Sequence, residues 1–417
     1  MGALLATPWS RTRTRLPAWR ALLTCRGQKL WQMRRALPAK NLVILGPVCL
    51  VRDAATFLDL ERRGLIDAKG KPWANGCPLT AASEDVWRRQ RRAIVRELPS
   101  ALARSVACGE AAASRILAAA PGAADLRAVL EAEIAAWAVD LFAGSLDGRA
   151  SKELLETLGP HWRCIRGRSP KEGGAAAARA HRAALAAAVA DPRVAGVIGA
   201  LRDAARRDDA DESALRADEV VPNASNALVA AFETCLGLVL WTLAGLADRR
   251  EARMRARDWC RTADAATARD ERAALAAFKQ AAAAGDDASV PQRFVLARCL
   301  EETLRVAPPV WTLARDFAGP RRFLKLDVLS VNSDDARPGA WDPLAPRKAR
   351  PCASFGLGRR ACPAGAAALQ AAHAILAPLV AALDFRRRGP ELADRAYLGP
   401  TLCVRGPVAF DVAPWPG

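Results

Sequence analysis

The chain has 417 residues, 51% of them apolar and 25% charged, a composition that can bury a large core and excludes the polar, charge-rich regime of disordered segments. Lys and Arg number 62 against 44 Asp and Glu, a formal net charge of +18, which favours acidic partners and by itself names no activity. The cysteines number 11, an odd count in a long chain, so no disulfide framework is read and a reducing cytoplasm is expected.

Arginines break every apolar stretch between Met1 and Arg20, so residues 1–26 are expected to form an N-terminal extension without a membrane anchor. Strand-like runs at Lys29–Arg34 and Asn41–Leu45 precede a short helix at Ala54–Leu60. Asp67–Thr80, rich in Gly, Pro and polar residues, reads as a loop, and Ser83 opens a basic helix running to Arg96. From there to Val306 the periodicity and alanine content predict helices, with polar breaks at Gly167–Gly174 and Arg206–Ser213. The apolar segment Ala227–Leu246 is long enough to span a bilayer, which takes about 20 residues. Glu233 near its middle makes a buried core helix the better reading, since a carboxylate in lipid is costly. Pro308 and Pro309 end the helix carrying Glu302 and Arg305. A turn-rich β stretch to about Phe355, a helix from about Pro363 to Leu383 and a tail of hairpins complete the chain. The histidines His161, His181 and His373 show no metal-ligand spacing and are expected to be structural.

Four segments carry chemistry. In Phe355-Gly-Leu-Gly358-Arg-Arg360-Ala-Cys362-Pro-Ala, a tight glycine loop leads to a cysteine expected at a helix N-cap, with Pro363 at the first helical position. The helix N-terminus and Arg360 would favour its thiolate. Glu302 and Arg305, at i and i+3 on one helix face, precede Val306-Ala-Pro-Pro309. Trp87 and Arg91 share a face in Trp-Arg-Arg-Gln-Arg-Arg, a run that read alone is a solvated basic face or a phosphate-binding patch. Ala230-Ala-Phe-Glu-Thr-Cys235 places a carboxylate and a hydroxyl side by side in the long apolar helix; read alone, Thr234 bonds back to its own helix carbonyl.

In this order and spacing the four segments resemble the cytochrome P450 family, from about Gly27 to residue 417. The resemblance implies a mainly α fold with small β-sheets, one domain over residues 27–417, a long central helix over a haem b, and a cysteine-ligand loop before a C-terminal helix. It makes Cys362 the iron ligand, within a shell of Phe355, Gly358 and Arg360, the thiolate favouring O–O cleavage. It gives Trp87, Arg91 and Arg315 to the haem propionates, and makes Glu302 and Arg305 a structural pair. Glu233 and Thr234 would be catalytic, holding dioxygen and relaying protons. Ala364 stands where the family usually has glycine. Ala231 and Cys235 depart from its Ala-Gly-x-Glu-Thr-Thr stretch, which leaves coupling, desaturation or nitrogen oxidation open beside hydroxylation. Trp341, Pro343 and Arg347 trace the meander faintly.

The function implied is a soluble, cytoplasmic monooxygenase of bacterial type, acting on a hydrophobic or aromatic small molecule in specialised metabolism. The residues before Trp87 are few and carry no anchor. No flavin or dinucleotide fingerprint is evident, so electrons are expected from an acidic ferredoxin-type partner with its reductase, the spare arginines near Arg91 forming part of its docking face. Trp73, Ala230, Phe232 and Trp311 would line an apolar pocket, Phe232 restricting the space over the iron. The other readings are a peroxygenase, a haem-binding protein without turnover, and a basic nucleic-acid-binding protein, the last lacking any partner motif. Neither nucleic acid nor membrane is expected as a partner.

Overall fold

The computed structural model describes residues 11–13, 42–45, 48–67, 84–122, 125–165, 171–206, 214–287, 289–317, 322–332, 341–345, 351–389, 396–398, 401–404 and 408–415. By compactness the chain forms two units. One comprises Met1–Gly70, Ala277–Cys362 and Pro390–Gly406, the other Lys71–Ala276, Pro363–Gly389 and Pro407–Gly417.

The first unit is built on a six-stranded sheet. Its strands are β1 (Arg11–Arg13), β2 (Leu42–Leu45), β3 (Val48–Val51), β4 (Ile66–Asp67), β5 (Thr312–Phe317) and β6 (Arg322–Asp327), in the order β1-β2-β3-β6-β5-β4. β1 on β2 and β3 on β6 are parallel, and the other pairs are antiparallel. Part of the expected N-terminal extension thus joins the sheet, because β2 leaves an edge whose backbone groups need partners. Between β3 and β4 runs α1 (Ala54–Arg62), started by Asp53, whose side chain accepts from the Thr56 N–H at 2.8 Å. Its apolar face, Ala54, Phe57 and Leu60, packs with Cys49 and Val51 of β3, Leu324 and Leu326 of β6, and Ala353 and Leu357 of the following glycine loop. One hydrophobic core therefore holds sheet, helix and loop together. The stretch after β6, expected as β and turns, begins instead with a short helix, α12 (Val328–Asn332). Val328 and Val331 fill that same core, so burial decides the local conformation there. A hairpin of β8 (Ala396–Leu398) and β9 (Leu402–Val404) completes the described part, as the sequence led one to expect. The run Lys29–Arg34 lies outside the described residues.

The second unit is helical: α2 (Glu84–Leu102), α3 (Ser105–Ala119), α4 (Leu126–Ala143), α5 (Arg149–Ile165), α6 (Lys171–Ala190), α7 (Gly196–Ala205), α8 (Ala217–Asp248), α9 (Arg250–Thr262), the greater part of α10 (Ala265–Ala284), and α13 (Gly365–Ala382). The helix α11 (Val295–Val306) belongs to the first unit and stops just before Pro308, as expected. Helix α2 passes the expected end at Arg96 and takes Pro99 into its last turn. Helix α6 starts at Lys171, so Gly173 and Gly174 are helical rather than part of a break. Gly109 lets α3 approach α13 closely: a Cβ there would stand 3.0 Å from the Ala371 carbonyl oxygen and 3.2 Å from the Ala374 Cβ. The end of α13 is capped from α9, where Arg257 donates to the Leu383 carbonyl at 2.6 Å and lies 3.8 Å over the Trp415 ring. β7 (Leu383–Arg387) then pairs antiparallel with β10 (Phe410–Pro414).

Helices α8 and α13 are long and apolar enough to cross a membrane by length and composition, and in both most of the apolar window is buried within the protein, in keeping with the core-helix reading of Ala227–Leu246. His161 on α5 and His181 on α6, far apart in sequence, meet as a stacked pair with ring centroids 4.5 Å apart.

Candidate active site

Three elements of the first unit converge on the cysteine. The loop is closed by the Cys362 N–H, which donates to the Phe355 carbonyl at 2.7 Å. Within it Gly356 and Gly358 take φ of +77° and +64°, the left-handed region where a side chain is strained, and Gly358–Arg360 forms one 3₁₀ turn. The sequence placed Cys362 at the N-cap of the next helix with Pro363 at its first position. That placement is corrected: α13 begins at Gly365 with Ala364 as its N-cap. The 3₁₀ turn and the bond to Phe355 hold Cys362 ahead of the helix.

Beneath the loop lies a polar lattice that starts from the Glu302–Arg305 pair. Two bonds of 2.6 Å join the carboxylate to the guanidinium, the fork geometry that makes Arg–carboxylate pairs strong. Glu302 also accepts from the Asp342 N–H at 2.8 Å, and the Trp341 indole N–H donates to Thr303 Oγ1 at 2.9 Å. Arg298 on the same helix donates to the Pro343 carbonyl at 3.1 Å. The faint meander at Trp341 and Pro343 is therefore fastened to α11; Arg347 lies outside the described residues. Asn332, not foreseen in the sequence, joins this lattice to the loop. Its amide donates to the Leu304 carbonyl and to Ser354 Oγ, both at 2.8 Å, while its Oδ1 accepts from the Ala353 N–H at 2.7 Å. No motif marks this asparagine, because its partners are backbone groups far away in the chain.

Arg315 on β5 is the electrostatic centre of this unit. It is 4% exposed; its Nη1 donates to the Ala314 carbonyl at 2.9 Å, and its Nε has no hydrogen-bond partner among the described residues. Burial, with the like charge of Arg360, pushes its pKa down to about 10, against a smaller opposite effect of Glu61. Leu313, two residues before it, reaches the space beside Gly356, which sets β5 against the loop. Among the described residues no carboxylate forms an ion pair with this buried guanidinium, a costly arrangement.

No family model matches this chain, and no curated protein matches it. Solved structures do. The retinoic acid-bound cyanobacterial CYP120A1 aligns at a TM-score of 0.72 and 17% identity, covering 95% of this chain and 96% of that one. CYP109Q5 from Chondromyces apiculatus aligns at 0.68 and 13%, covering 98% and 99%. CYP175A1 from a Thermus species aligns at 0.65 and 19%, covering 97% and 99%. The chain has the cytochrome P450 fold.

The residues present fit the haem of that fold. The orphaned Nε of Arg315 suits a propionate carboxylate, which accepts two bonds from one guanidinium, and the loop presents one thiol, Cys362, beside backbone that only glycine tolerates. In the helical unit, Trp87 is buried on α2 with the Arg91 guanidinium 5.7 Å from its ring centroid, so the two share a face as expected. Of the neighbouring arginines, Arg88 and Arg92 are exposed, whereas Arg89 is engaged within the protein. Arg89 is bound to Glu219 near the start of α8 and to the Ala214 carbonyl, and Arg88 pairs with Glu84. Burial works against the charge on Glu219, but the bonds from Arg89 and the Arg216 N–H outweigh it and hold the carboxyl below its ordinary range. Basic runs near a site thus contain arginines with internal duties, visible only once an acid from elsewhere folds against them.

On α8, Glu233 is buried at 3% exposure, and the partly exposed Thr234 donates its hydroxyl to the Ala230 carbonyl at 2.7 Å. Cys235, next along, is wholly buried, and its thiol is pushed up to about 12 by burial, so it stays protonated. Of the residues expected to line a pocket, Ala230 is exposed, Phe232 and Trp311 are enclosed by protein, and Trp73 lies outside the described residues.

Proposed function

We propose that this chain is a haem-thiolate monooxygenase that inserts one oxygen atom of dioxygen into a hydrophobic or aromatic small molecule. One observation carries the reading: Arg315, a buried guanidinium whose Nε has no hydrogen-bond partner among the described residues, sits on the strand packed against a glycine loop that offers a single thiol, within a P450 fold. Cys362 is assigned as iron ligand, Arg315 as partner of one propionate, and Trp87 with Arg91 as partners of the other. When bound, haem b supplies reductive activation of dioxygen, with two electrons and two protons converting the second oxygen atom to water.

The chain's own residues provide position and protons. Glu302 and Arg305 keep the loop's foundation in place and touch no substrate. Glu233 is assigned as the acid that relays protons and Thr234 as the hydroxyl that holds dioxygen. The Thr234 hydroxyl donates to the Ala230 carbonyl, so its oxygen keeps lone pairs to accept a further hydrogen bond. Electrons are assigned to an acidic ferredoxin-type partner with its reductase, supported by the net charge of +18. A cytoplasmic, specialised-metabolite setting in a bacterium and residues 27–417 as one catalytic domain complete the proposal.

The test is the absorption spectrum of reduced, carbon monoxide-treated protein, wild type against Cys362→Ala. A strongly red-shifted Soret band lost in the variant is expected. A histidine-like spectrum indifferent to Cys362, or no haem at all, sinks the reading. Glu233→Gln is expected to keep the wild-type spectrum and to cut turnover by about 10²-fold, the usual scale for one general acid.

A further inference from the structure

The side chain closest to the glycines of the cysteine loop comes from a helix that no motif singles out. Glu61, near the end of α1, lies with its carboxylate against the Cα of Gly358, in the space a Cβ would need. It accepts from the Arg359 N–H at 3.4 Å and stands 3.6 Å from the Arg359 guanidinium Nε. Its side chain is 12% exposed, whereas that of Arg359 is 41% exposed. Chain separation gives this contact no local cause: Glu61 and Arg359 lie 298 residues apart. A carboxylate over the first residues of a 3₁₀ turn meets N–H groups that the turn leaves without partners. Its charge also acts on the buried guanidinium of Arg315, opposing the effect of Arg360 there.

We propose that Glu61 is a positioning residue of the cysteine loop, its carboxylate bracing the Gly358–Arg360 turn and its negative charge holding down the reduction potential of the thiolate-ligated haem. The potential part rests on the haem-thiolate reading above; the bracing part concerns the protein alone. The two properties are separable by substitution. Glutamine keeps an acceptor oxygen of the same reach and loses the charge, while alanine loses both.

The experiment uses full-length protein in three forms, wild type, Glu61→Gln and Glu61→Ala, with Asp59→Asn as a charge control on the same helix. Hydrogen exchange of the haem-free protein reads the loop amides of Ala361 and Cys362, which bond to Gly358 and Phe355. Glu61→Ala is expected to speed their exchange by about tenfold, and Glu61→Gln to leave it near wild type, because one lost brace is worth about one hydrogen bond. Potentiometry of the haem-loaded protein is expected to show Glu61→Gln shifted upward by about threefold in the reduction equilibrium, about 30 mV for one electron, with Asp59→Asn shifted less. Unchanged exchange in Glu61→Ala overturns the bracing role. A Glu61→Gln potential equal to wild type, or matched by Asp59→Asn, overturns the electrostatic one. If the wild type itself lacks the thiolate spectrum, the haem reading fails, while the exchange measurement still decides whether Glu61 braces the loop.

Discussion

Arg315, assigned above to a haem propionate, stands out through a local violation. A buried guanidinium with no ion-pair partner among the described residues is destabilising, since an uncompensated buried charge costs about 3–5 kcal/mol. Arg315→Met is therefore expected to raise the melting temperature of the haem-free protein while lowering haem retention by about tenfold or more, since a charge-assisted bidentate contact is lost. Calorimetry beside haem titration checks the pair of opposite signs; a variant that loses stability and keeps haem would make Arg315 an ordinary structural residue. Glu302 is the converse case, a buried acid already matched. Glu302→Ala removes both bonds to Arg305 and the acceptor of the Asp342 N–H, and a loss of about 3 kcal/mol or more is expected in denaturant unfolding, the scale for breaking a buried pair.

Elements carry the next set of consequences. The cysteine loop stands on Asn332, which satisfies a helix-end carbonyl and two loop groups at once. Asn332→Ala takes the acceptor from the buried Ala353 N–H, while the Leu304 carbonyl keeps its bond from Ser354 Oγ at 2.9 Å, and is expected to cost about 1–3 kcal/mol; faster exchange of the Ala353 N–H is the local signature that distinguishes this from general loosening. Helices α5 and α6 are tied by the imidazole stack. Thr157 donates to its own helix carbonyl at 2.8 Å and lies 3.2 Å from His181 Nδ1, so His181 serves as donor there and its neutral form suits the site. Burial, with a smaller effect of His161, lowers its pKa from 6.5 to about 3, and burial with Arg182 lowers that of His161 as well. The unfolded chain takes up these protons near pH 6.5 and the folded chain only far below. The contribution to stability is therefore whole above about pH 6.5 and is lost as the pH falls towards 3. His181→Leu is expected to flatten the acid limb of the stability curve; an unchanged slope between pH 6.5 and 4 would remove the pair as its cause.

For the molecule as a whole, the P450 fold was legible before any coordinates because its motifs combine local pattern with fixed chemistry. Phe355 to Cys362 needs glycines for positive φ and carries the thiol proposed above as iron ligand, Glu302 and Arg305 need helical spacing, and Pro308 must end their helix. Such demands act over a few residues and survive where overall identity to CYP120A1 is only 17%. What the sequence by itself determined, then, was most of the long helices and the identity of the chemical groups, since these follow from backbone propensity and side-chain period, whereas burial made a helix of Val328–Asn332 where β and turns were expected. Only the tertiary structure decided which distant groups meet. It brought Glu61 to Gly358, Asn332 to Ser354, Glu219 to Arg89 and His161 to His181, and it moved the start of the last helix from Pro363 to Gly365. The physical reason is common to all of these: each pairing rests on burial and on hydrogen bonds between residues that no local period relates, so its energy exists only after the chain has folded.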